Sequence, residues 1–206
     1  MQSVAPRLIS ASRPAARLLL VRHGRSAHTH DGRWIDADGV RRYRTQYDAA
    51  GIATESLPPS ALVAEAAAAQ MIASSDLPRA LASAERLAPG RGIVVSPLLR
   101  ETHLEIPPWA VGRLPLLAWS AVLHLHWGFR IWRHIDVSAE ERAQAEAAAD
   151  WLVTLAGESL TIVAVTHGVF RRTLASRLAC RGWQPERSRR PYHNWSVWAF
   201  RAGSSQ

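Results

Sequence analysis

At 206 residues, 48% of them hydrophobic, the chain is long enough to bury a full core and to form one domain. Its formal charge of +8 favours anionic partners, yet every basic residue is arginine and none is lysine, so an arginine gains meaning only from its position. No nucleic-acid recognition module of the usual kinds is present. The lone Cys180 excludes an internal disulfide framework and fits a reducing, cytoplasmic compartment.

Met1–Arg17 carries Arg and Ser without an acid, as transit peptides do, but lacks the apolar run of a secretory signal. A disordered tail over residues 1–16 is the simpler account, with a single domain from 17 to 206. Leu18–Val21 reads as a short buried strand that delivers Arg22, His23, Gly24, Arg25 and Ser26 at its carboxyl end. Open α/β sheets bind ligands there. Gly24 is expected to let the backbone turn sharply and an anion come close. Ala27–Tyr47 reads as a loop with a short helix lying over the site, and its His28 and His30 as polar loop rather than a metal set.

Pro58 and Pro59 precede an Ala-rich helix over Ser60–Ala69. Gln70–Ser74 reads as the second strand. Ser75–Asp76 is expected to cap a helix over Leu77–Leu87, with Arg79 in its first turn. Taken alone, Arg79 reads as a solvated surface residue. Gly92–Val95 is a third strand, followed by Leu98, Leu99, Arg100, Glu101 and, four residues on, Glu105.

Pro107–His134 holds Trp109, Trp119, Trp127 and Trp132 among aliphatic residues, and reads as a helical insertion over about 106–136. Its most apolar part contains His124, His126 and Arg130 and does not read as a membrane span. Ser138 opens a helix to about Leu155. Leu160–Gly168 then repeats the first unit, an apolar strand ending in Thr166, His167 and Gly168. Val169–Ala179 is an amphipathic helix, and Cys180 beside it reads as an inert buried thiol. Arg181–Arg190 reads as an arginine-rich loop, and Ser196–Phe200 as a terminal edge strand.

Two strands that each end in a histidine, an arginine beside the first, an arginine at a helix start and a glutamate make a constellation suited to phosphate. LLLVRHGRS, ASSDLPRALASAERL, LLRETHLEI, VAVTHG and NWSVWAF, in that order from Leu18 to Phe200, resemble the histidine phosphatase superfamily. The resemblance implies a phosphoglycerate mutase-like fold: three layers, α/β/α, around a mostly parallel sheet, with a helical cap insertion.

It further implies that His23 is a nucleophile that becomes a phosphohistidine, and that Glu101 is the proton donor. Arg22, Arg79, His167 and Ser26 would bind the phosphoryl oxygens, His167 sharing in catalysis. A neutral imidazole is nucleophilic at physiological pH. Fixed cations stabilise charge spread over a transferring phosphoryl group without a metal. A carboxylic acid can protonate the leaving alkoxide.

The chain departs from the family at Glu105–Trp109, at Thr29 and at IDADGVRRY, outside the phosphate-binding residues. The expected activity is hydrolysis of a small phosphomonoester with no cofactor or metal. A phosphomutase and a non-catalytic phospho-ligand binder on the same fold are the alternatives. Trp109, Trp119 and Trp127 are expected to offer an apolar wall for the substrate with Arg130 near its rim, or else the tryptophans pack into the core or a homodimer contact. Neither nucleic acid nor membrane is an expected partner.

Overall fold

The computed structural model describes residues 15–30, 32–132, 138–186 and 191–203. Of the tail expected over 1–16, residues 1–14 lie outside the described residues. Ala16 already belongs to the fold, since its amide donates to Glu158 O at 3.2 Å.

Among the described residues, six strands form one sheet. They are β1 (Arg17–Arg22), β2 (Met71–Ser74), β3 (Ile93–Val95), β4 (Thr161–Thr166), β5 (Trp183–Pro185) and β6 (Val197–Ala202). Their order is β3-β2-β4-β1-β6-β5, with β1 to β4 mutually parallel and β5 and β6 antiparallel additions. The expected edge strand, β6, is therefore interior. The edge is β5, inside the segment read as a loop; three residues are too few to show a period, and Pro185 has no amide that a further strand could use.

The helices are α1 (Ala37–Ala49), α2 (Ser60–Ala68), α3 (Pro78–Leu87), α4 (Leu116–Trp132), α5 (Ala139–Ala156) and α6 (Phe170–Cys180). Strand alternation divides the core between the two sheet faces. Leu18, Leu20, Ile162 and Ala164 pack with Leu152 of α5 and Phe170, Leu174 and Leu178 of α6. Leu19, Val21, Val163 and Val165 pack on the other face with Leu62 of α2 and Ala80, Ala84 and Leu87 of α3. Each of these buried Leu, Ile, Val and Phe side chains contributes about 1.5–3 kcal/mol, and each Ala less.

A third cluster stands apart: Val40 of α1 with Leu104, Trp119 and Leu123. The cap is thus built from α1 as well as α4, tied by the isolated bridge Ile35–Leu114. Thirteen residues long and capped by Asp36, α1 is more than the short helix expected. No described helix is long and apolar enough to cross a membrane.

Two local expectations are corrected. α3 begins at Pro78 with no side-chain cap, because Ser75 Oγ accepts from the Leu77 amide ahead of the helix and Asp76 pairs with Arg100. Cys180 is exposed, because α6 ends with it as the chain turns outward at Arg181–Gly182.

Candidate active site

Parallel pairing of β1 with β4 sets Arg22 opposite Thr166, and the His23 amide then donates to Thr166 O at 3.0 Å. His23 and His167 therefore leave adjacent strands at the same height, their ring centroids 5.1 Å apart. Both are buried. β2 ends beside them, where the Ser75 amide donates to Val165 O and Ser75 Oγ lies 3.0 Å from His167 Nε2.

His23 Nδ1 donates to Gly24 O at 2.7 Å, which leaves Nε2 as the unprotonated nitrogen. Burial, then the Arg79 charge, pushes the imidazole down to about 3. His167 is held well below the usual imidazole range by burial and by His23 and Arg79 beside it. Ser75 Oγ accepts from the Leu77 amide at 3.3 Å and shares a hydrogen bond with His167 Nε2. The other ring nitrogen of His167, Nδ1, is buried without a partner.

Arg79 is fully buried, contrary to its reading as a surface residue. Its Nη1 donates to Tyr47 O at 3.0 Å and Asp48 Oδ1 at 2.9 Å, and its guanidinium lies over the Tyr47 ring, 4.4 Å from the centroid. Nε and Nη2 of Arg79 are buried without partners, as is Nε of Arg22, whose Nη1 donates to Tyr192 O. Three guanidinium nitrogens beside the two imidazoles thus have nothing to donate to. Buried donors left unpaired cost about 1–3 kcal/mol each, which an anionic guest would recover.

Glu101 reaches the head of α6, where Oε1 accepts from the Phe170 amide at 2.8 Å and the Thr102 amide at 3.1 Å. Its Oε2 makes only a 3.4 Å contact with the Val169 amide. Glu105 is exposed and paired with Arg130. Ser26 is buried, but its hydroxyl accepts from the His28 amide at 3.1 Å, closing its own turn.

Gly24 serves packing rather than a turn. A Cβ there would stand 2.6 Å from the Trp195 ring and 2.8 Å from Ser56 Oγ. Trp195 itself adopts φ 61°, in a loop that also sends Asn194 Nδ2 to His23 O at 2.9 Å. Below the site, fully buried Arg171 donates to Leu20 O, Pro191 O, Ser196 O and Ser196 Oγ, fastening that loop to the sheet.

A cavity of about 240 Å³ opens beside Arg79 and Glu101. Val40, Tyr43, Tyr47 and Asp48 of α1 form one wall, and Leu116, Trp119 and Leu123 of α4 the other. Of the four cap residues expected to face substrate, only Trp119 lines it, anchored by Nε1 to Ile35 O at 2.7 Å. Trp127 packs against the cap cluster under the Arg172 guanidinium. Trp109 is exposed beside His126, and Arg130 is tied to Glu105. His23 and His167 are not among the residues that line it. His28 and His30 pack on the Tyr43 ring, and among the described residues no group of three or more His, Cys, Asp or Glu comes together that could hold a metal.

Tyr47, Asp48, Ser75, Arg171 and Asn194 escaped the sequence reading. Asn194 carried a signal inside the NWSVWAF segment and Ser75 inside ASSDLPRALASAERL; Asp48 is one acid in a polar stretch, and its pairing with Arg79 is visible only in three dimensions.

No curated protein matches the chain. Among solved structures, the Entamoeba histolytica phosphoserine phosphatase in complex with 3-phosphoglyceric acid is similar, with a TM-score of 0.53 and 16% identity over 91% of this chain and 98% of that one. Mycobacterial hydrolase 1 matches with a TM-score of 0.50 and 18% identity over 93% and 100%. At these identities the likeness concerns the fold. The sequence model of the histidine phosphatase superfamily (branch 1) matches residues 18–205, nearly the whole chain, and the protein belongs to that superfamily.

Proposed function

We propose that this protein is a phosphomonoester hydrolase that works through a phosphohistidine on His23. The observation that carries this reading is a neutral, buried imidazole with a free Nε2 beside three unpartnered guanidinium donors, Arg22 Nε, Arg79 Nε and Arg79 Nη2, and the unpartnered Nδ1 of His167. Nε2 attacks phosphorus as the ester P–O bond breaks, and these guanidinium donors take up charge developing on the equatorial oxygens. Glu101, through Oε2, gives a proton to the leaving alkoxide. It then takes one from the water that cleaves the P–N bond, releasing phosphate and free His23.

The cavity supports a narrower reading of the substrate. Its walls are largely apolar and aromatic, and Asp48 adds a carboxylate beside Arg79, held ionised against its burial by His103 and Arg79. Both features favour an ester with an aromatic or extended apolar group over one bearing its own carboxylate.

The test is a labelled phosphodonor and an acid quench-labile, base-stable adduct mapped to His23. Full turnover by His23→Ala would end the proposal.

A further inference from the structure

The outer face of α4 has no partner among the described residues. Leu117, Ala121, Leu125, Gly128, Phe129 and Trp132 all point outward, and His124 is the one polar side chain exposed among them. A surface helix ordinarily turns charges to water, and this one turns its apolar side outward while its inner face, through Trp119 and Leu123, builds the cap.

The area is large. Leu117 is 83% exposed, Leu125 73%, Trp132 71% and Phe129 53%, with Trp109, 63% exposed, flanking the groove that Leu125 and Phe129 line. At roughly 150–250 Å² for each aromatic side chain and somewhat less for an aliphatic one, these add to several hundred Å². That exceeds the usual patch of a monomer and approaches the roughly 800 Å² per partner of a standard interface.

The pattern of side-chain size is also self-complementary. A two-fold axis across the helix between His124 and Leu125 sets Leu117 against Trp132, Ala121 against Gly128 and His124 against Leu125. The small pair lets two antiparallel helices approach closely, and the large pairs fill the space at either end. A lipid surface fits less well, because α4 has one charged residue, Arg130, and it is paired with Glu105. An interfacial helix carries a row of Lys and Arg along its polar face to hold anionic headgroups, and α4 carries only this one arginine.

We propose that α4 is the contact through which two copies of this chain form a symmetric antiparallel dimer, centred between His124 and Leu125. The dimer clamps from outside the helix that walls the candidate site from within.

Sedimentation equilibrium of the full chain at about 10 µM should give twice the 22.7 kDa of one chain. Leu125→Glu, at an exposed position and checked for native circular dichroism, should weaken the dimer by roughly 30-fold or more. In a Cys180→Ala background, Ala121→Cys combined with Gly128→Cys should cross-link two copies under mild oxidation, and Ala121→Cys alone should not. A monomer up to about 100 µM overturns the proposal. So does a dimer indifferent to Leu125→Glu, cross-linking without the paired register, or a monomer that binds phosphatidylserine vesicles through Leu125 instead.

Discussion

Acid should unfold the free protein in a window set by its two buried imidazoles. His23 is pushed down to about 3 and His167 well below the ordinary imidazole range, by burial first and with Arg79 and Arg22 bearing on both. The unfolded chain takes up a proton at each as pH falls through about 6.5, while the folded site takes none until far lower. Unfolding then binds protons, so stability is full above 6.5 and declines as pH falls.

Between pH 7 and pH 5 each imidazole withdraws about 2 kcal/mol, about 4 kcal/mol for the pair. The carboxylates held low by partners, Asp48, Asp76 and Glu186, contribute little in this window, because their stabilisation is lost only as pH falls below about 4. In a chain of this length the loss corresponds to about 8–16 °C in Tm. Thermal melts followed by circular dichroism measure it directly. His23→Asn should remove about half of the fall, and saturating inorganic phosphate should reduce it by offsetting the arginine charge. A Tm that is flat or rises from pH 7 to 5, or a slope unchanged in His23→Asn, would refute the reasoning.

Arg79→Ala should lower kcat/KM by roughly two to three orders of magnitude, the range for losing a preorganised donor, and wild-type turnover should survive chelation; strict dependence on an added divalent metal contradicts the scheme. Glu101→Gln should slow alkyl phosphates far more than p-nitrophenyl phosphate, whose leaving group needs no proton, while Glu105→Gln leaves both rates unchanged. Aryl phosphates should give a higher kcat/KM than 3-phosphoglycerate, and Leu123→Ala should narrow the ratio; a preference for the carboxylated ester rejects the apolar reading of the cavity. Gly24→Ala should destabilise the protein by about 1–3 kcal/mol on chemical denaturation, because its Cβ meets the Trp195 ring at 2.6 Å.

Much of the framework was legible in the linear chain. Leu18–Val21 and Ile162–Val165 are apolar runs too short for helices and bounded by polar residues, so they read as buried strands, each ending in a histidine. Glu101 stood out through its motif, and Ser138 as the cap of α5, because both signals lie within a few consecutive residues. The tertiary structure decided the rest. Arg79 reads as a surface arginine until Tyr47 and Asp48, about thirty residues away, are folded over it. Gly24 reads as a turn until Trp195, from the far end of the chain, presses against its α-carbon. β6 reads as an edge until three residues of β5 pair with it. Of the tryptophans, which one faces the cavity depends on the bridge between Ile35 and Leu114 and on the rotation of α4 that it sets. Local propensity is a property of neighbours in sequence. Burial, the loss of an imidazole's proton and the sidedness of an apolar helix arise from neighbours in space.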